Sequence, residues 1–156
     1  MNYLLDFAYL MSYFCIDKSR KMTDKQVDII DKIELSSATV SLRDDGIFHI
    51  NMKIINREVE EKDVRELTES IGIIGKGAKY PVLIVVNEYN SITREASEYA
   101  ASEIAARYTI ANAVVVKSAA IRIATNFFIR IFKPVRPTKM FTEEERAVQW
   151  LRTLTY

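Results

Sequence analysis

Apolar and polar residues alternate from Thr39 to Leu42 and again from Ile47 to Met52, with Arg43-Asp44-Asp45-Gly46 between the two runs. Period two on either side of an Asp-Gly turn predicts a β-hairpin. Its second strand would carry Ile47, His49 and Asn51 on one face and Phe48, Ile50 and Met52 on the other. The period then lengthens. Between Glu58 and Ile74, Val64, Leu67, Ile71 and Ile74 step by three or four residues, which gathers them on one side of a helix. Glu60, Glu61 and Asp63 fall in its first turn, where carboxylates complement the positive end of the helix dipole. Gly75 and Gly77 are expected to end it in the left-handed conformation that glycine tolerates. The apolar run Val82 to Val86 reads as a buried strand reached by a crossover, with Pro81 as a first residue that need not donate to the ladder.

A polar loop, residues 87 to 93, follows that strand. Ser91 or Thr93 would cap a helix over Arg94 to Tyr108 through a side-chain hydroxyl. Alanines at 96, 100, 101, 105 and 106 allow that helix close approach to a sheet. Thr109 to Val116 reads as another buried strand. Ser118 then opens a helix, AAIRIATNFFIRIFK, that is apolar around most of its circumference and so must bury more than one face. A neighbouring helix and the sheet could cover it, or a second subunit could. Pro134 stops it. Residues 135 to 141, with Pro137 inside, form a short edge strand or an extended connection. Thr142 to Glu145 matches the S/T-x-x-E capping box. The closing helix runs to about Leu154 and buries Ala147, Val148, Leu151 and Trp150.

The first 21 residues, MNYLLDFAYLMSYFCIDKSRK, differ from the rest. Their aromatic run is too short for a membrane span and lacks the basic start and cleavage site of a signal peptide. They read as a short apolar helix docking on the domain or on a second subunit, or as sequence upstream of a true start at Met22; the second reading is preferred. Residues 27 to 35 are a strand or a leader. The organisation expected is an N-terminal extension over 1–35 and one domain over 36–156.

Composition sets outer limits. The 156 residues are 49% hydrophobic and 28% charged with a formal net charge of +1, which offers no global attraction for nucleic acid. One cysteine excludes an internal disulfide and points to a cytoplasmic setting. With one histidine and no CxxC, a zinc site is not expected. His49 is expected to pack or to face solvent, since it lacks the orienting partner that acid–base work needs. No phosphate-binding glycine loop and no nucleophile–base pair can be assembled. Charge is nonetheless uneven. Residues 104 to 142 hold Arg107, Lys117, Arg122, Arg130, Lys133, Arg136 and Lys139 and no acid. Helical spacing puts Arg122, Arg130 and Lys133, with Asn126, on one stripe, a candidate basic patch.

The order hairpin, helix, strand, helix, strand, helix, extended piece, helix resembles the STAS or SpoIIAA-like fold of the anti-sigma-factor-antagonist type, which overlaps the SEC14-like group. The segments LRDDGIFHI, GKGAKYPVLIVVN, SITREASEYAAS and NFFIRIFKPVRPTKMFTEEERAVQWL carry it. More narrowly, they are similar to small bacterial proteins described as STAS/SEC14 domain-containing. The resemblance implies an α/β fold, a mixed sheet opened by a β-hairpin with about four helices packed against it. In phosphoswitch members, an Asp-Ser-Ser-Gly-like motif after the central strand carries the serine that a partner kinase phosphorylates. Here that place reads Asn90-Ser91-Ile92-Thr93-Arg94-Glu95, without the Asp before the hydroxyl or the Gly after it. What remains is a hydroxyl at a helix N-terminus, where an anion is favoured. Two functions follow as expectations. One is a non-enzymatic regulatory or interaction module that docks on a protein partner and forms a homo-oligomer. The alternative is a binding protein for a small anionic or amphipathic ligand, held by Asn87, Asn90, Ser91 and Thr93 with the basic residues nearby. Neither reading calls for a cofactor.

Overall fold

The computed structural model describes residues 27–86 and 91–154. The expectations placed on residues 1–21 and on Met22 lie outside them. Among the described residues, six strands form one sheet in chain order: β1 (Ile29–Glu34), β2 (Ala38–Arg43), β3 (Phe48–Met52), β4 (Tyr80–Val86), β5 (Thr109–Val116) and β6 (Thr138–Phe141). The first three are antiparallel, and β3 to β6 are parallel. The sheet is therefore mixed and opens with the hairpin β2–β3, registered with Val40 opposite Ile50 and Leu42 opposite Phe48. Gly46 turns it at φ 76°, and Gly46 N–H donates to Arg43 O at 3.0 Å. Residues 29–34, which the sequence left open between strand and leader, are the edge strand β1.

The described residues also form four helices: α1 (Glu61–Ile74), α2 (Arg94–Ala101), α3 (Ala119–Phe132) and α4 (Glu144–Arg152). Three of them are crossovers between parallel neighbours. Each crossover moves one strand in the same direction with the same hand, so α1, α2 and α3 fall on one face of the sheet. There α1 packs on Val40, Phe48, Ile50, Met52 and Val82 through Ile71 and Ile74, with Val64 and Leu67 beside them. The opposite face depends on α4, whose Ala147, Val148 and Leu151 pack on Ile47, Leu83, Ala111, Ala113 and Val115. Trp150 is half-buried there, with its ring 5.6 Å from that of Phe141.

Several boundaries differ from expectation for local reasons. Gly75 caps α1 at φ −78°; the left-handed residues are Lys76 and Gly77. Gly75 is needed instead for close approach, since a Cβ there would stand 2.8 Å from Ile71 O and 2.9 Å from the Tyr80 ring. Strand β4 begins at Tyr80, and Pro81 is absorbed in a register shift between Tyr80 and Val82. The second helix stops at Ala101 rather than Tyr108. Ser102 turns extended, its Oγ donates to Tyr99 O at 2.6 Å, and Ala105 N–H donates back to that Oγ at 3.4 Å. One serine thus closes α2 and starts a separate turn. Thr142 forms no capping box, because Glu143 occupies the N-cap position of α4 without a side-chain cap bond. Lys133 ends α3 in the left-handed conformation at φ 47°, and Pro134 behind it cannot continue the helix.

Candidate functional site

A helix of 14 residues has room for two apolar arcs, and α3 has both. Spacing by 100° per residue puts Ile121, Thr125, Phe128 and Phe132 on the inward arc. Among the residues of α3, Ile121 alone is buried, at 9% exposed. A second arc, Ile123, Phe127 and Ile131 at i, i+4 and i+8, points away from the sheet. These side chains are 73%, 60% and 58% exposed. The expectation that this helix buries more than one face is not met among the described residues. Arg122, Asn126, Arg130 and Lys133 flank the stripe on one side, and all four are exposed. Among the described residues, Arg122, Arg130 and Lys133 make no ion pair. Asn126 and Arg130 line the same shallow surface groove as Ile123, Phe127 and Ile131.

Beyond the helix the surface continues. Val135 N–H donates to Ala101 O at 3.2 Å, which ties the chain after α3 to the end of α2. Val135 and Ile104 of the neighbouring turn are likewise exposed. Arg136 leaves the basic set by pairing with Glu103 at 3.8 Å. Lys139 lies over the Phe141 and Trp150 rings.

The loop after β4 is built differently. Asn87 and Asn90 lie outside the described residues. Thr93 is the N-cap of α2, and Ala96 N–H donates to its Oγ1 at 3.2 Å. Ser91 takes no part in that cap. Its Oγ donates to Glu58 Oε1 at 3.2 Å, while Val59 N–H donates to Ser91 O at 2.8 Å and Thr93 N–H to Val59 O at 3.0 Å. The nearest charge to the Ser91 hydroxyl is thus a carboxylate, the wrong sign for gathering an anion. Arg122 to Lys133 spreads along roughly 16 Å of helix axis.

The segment that holds Ser91 is itself anchored by a buried carboxylate. Asp63, 1% exposed, takes two bonds from the Arg57 guanidinium, at 2.7 and 2.9 Å, and a third from Glu60 N–H at 2.8 Å. The Arg57 guanidinium, more than its own burial or the Glu60 amide, sets its pKa and holds it below the usual aspartate value. This is a structural site, which caps α1 and fixes residues 57–60. Burial pushes the His49 imidazole below its ordinary pKa, and Glu144 stands 4.0 Å away, too far for a hydrogen bond. At the other end of the sheet, hydrogen bonding from Lys53 lowers the exposed Glu34 carboxyl to about 2.

Sequence reasoning found the basic stripe but missed the apolar stripe beside it. The signal was present, since Ile123, Phe127 and Ile131 repeat every four residues. Among the described residues, no helix is long and apolar enough to cross a membrane and no group of acids, His and Cys could hold a metal ion.

The chain is similar to an uncharacterised protein from Shewanella loihica PV-4, of the DUF3478 family with a SpoIIAA-like fold, at 13% identity and a TM-score of 0.45, with 80% of this chain and 93% of that one covered. It is also similar to a protein of unknown function from Arthrobacter sp. FB24, at 22% identity and a TM-score of 0.25, with 72% and 97% covered. No curated protein matches. Residues 40–155 match the family model described as Domain of unknown function (DUF7793). The chain therefore belongs to the DUF7793 family.

Proposed function

We propose that this chain is a non-enzymatic interaction module that acts by docking, and that it docks first on a second copy of itself through the outward face of α3. One observation carries this reading: three large apolar side chains stand exposed in a row on the most apolar helix among the described residues. Scattered exposed apolar residues need no explanation, but an aligned stripe bordered by polar residues marks a contact surface. Its spacing suits a two-fold axis. Phe127 lies four residues from both Ile123 and Ile131, so antiparallel helices would set Phe127 on Phe127 and each Ile123 on the other copy's Ile131. A regulatory role fits a module that works by association alone.

The flanking charges give this reading a signature. A two-fold places the flank bearing Arg122, Arg130 and Lys133 beside its own copy, with no acid within α3 to compensate. Added salt screens that repulsion, so association strengthens as ionic strength rises. Sedimentation velocity of the full chain over a concentration series, at low and high salt, is the test. A dimer that grows with concentration and salt supports the reading, and a monomer throughout removes self-association from it.

A further inference from the structure

The three crossover helices leave a cleft of about 120 Å³ against the sheet. Ile84 of β4 and Asn112 and Val114 of β5 are part of its lining. On the other face of these strands, Leu83, Ala111 and Ala113 are fully covered, whereas Ile84, Asn112 and Val114 stay partly exposed. Central parallel strands are ordinarily covered on both faces. The gap arises in the walls. Ala105 and Ala106, carried on the turn that Ser102 starts, present only methyl groups, and α3 contributes Phe128 alone.

Among the described residues, no charged side chain and no histidine lines this cleft. Asn112 brings a side-chain amide to this lining. Thr138 Oγ1 donates its hydrogen to Arg136 O at 3.1 Å, so towards Asn112 it can only accept, and the amide nitrogen Nδ2 faces it at 3.5 Å. That orientation leaves Asn112 Oδ1 without a hydrogen-bond donor among the described residues. A ligand donor that reaches this oxygen would add a hydrogen bond to the apolar contacts of the walls.

We propose that this cleft binds a small neutral amphipathic molecule, about one aromatic ring in size, whose hydroxyl or amide N–H donates to Asn112 Oδ1. The size follows from volume, since a cavity of about 150 Å³ takes up benzene. Neutrality follows from a lining with no counter-charge, which also separates this ligand class from anions and this site from the outward face of α3. The site stands whether or not the chain self-associates.

Phenol and benzene, titrated into the ¹⁵N-labelled full chain, test the assignment. Phenol is expected to shift the amides of Ala105, Asn112, Val114 and Thr138 saturably, with benzene bound roughly five- to tenfold more weakly. Asn112→Leu should bring phenol down to the level of benzene. Ala105→Leu should fill the cleft and abolish both while the spectrum stays folded; Val114→Phe fills it from the opposite wall if Ala105→Leu does not fold. Shifts confined to α3's outward residues, no saturation, or undiminished binding in the filled variants would overturn the site. Equal binding of phenol and benzene to the unaltered chain would overturn the role given to Asn112.

Discussion

Helices α3 and α4 lie against the same strands, β5 and β6, from opposite sides, and they spend their apolar residues in opposite ways. The shorter α4 turns Ala147, Val148 and Leu151 inward, pairs Arg152 with Asp45 at 2.9 Å, and seals its face of the sheet. The longer and more apolar α3 buries Ile121 alone and holds Ile123, Phe127 and Ile131 outward. Apolar content is therefore a poor guide to which helix holds the fold together here. On α4 it serves the core, and on α3 three large apolar side chains stay outward, beyond what the core uses.

The comparison can be broken most forcefully at Leu151. Leu151→Ala removes a fully buried side chain and should cost about 2–5 kcal/mol, measured by chemical denaturation. A loss as small as that of a surface substitution would mean that α4 does not seal the sheet. Next comes Asp63, which anchors α1 on the side that α3 leaves loose. Asp63→Ala gives up the Arg57 pair and the Glu60 amide, and a loss of roughly 2–3 kcal/mol is expected. The lowered pKa also fixes a pH window. Asp63 contributes fully above the ordinary aspartate value of 3.8, and the contribution drains away as pH falls through that value and through the lower folded one. The Asp63→Ala chain should accordingly approach the parent in stability in strong acid, which denaturation midpoints across pH would check.

Thr93→Ala removes the one side-chain cap bond of α2 and should cost about 1 kcal/mol. Smallest of all is Phe127→Glu, within about 0.5 kcal/mol for the isolated chain, because the side chain touches solvent rather than core. A loss near that of Leu151→Ala would show that α3 is part of the core after all.

Much of the architecture was legible because it rests on local periods. The β2–β3 hairpin, the α1 face and the buried strands β4 and β5 follow from spacing two and spacing 3.6. What the sequence hid was competition between neighbours. Ser102 ends α2 within an alanine-rich stretch that favours helix, and Gly75 is selected by the Tyr80 ring rather than by its own torsion. At the candidate site, the polar stripe of α3 was readable, but which apolar arc would face the sheet depended on where the crossovers put the helix. Ser91 looked like a cap because of its residue type. Its tie to Glu58 joins residues 33 positions apart, which no local pattern encodes.

The central claim is that α3's outward face is a contact surface. Amide hydrogen exchange across a concentration series tests it most directly, because it reports which backbone becomes protected. The account predicts that protection over 119–132 rises with protein concentration in the parent chain, stays low in Phe127→Glu, and leaves α4 unchanged in both. Exchange of α3 that is independent of concentration, or protection that rises elsewhere and spares α3, would contradict it.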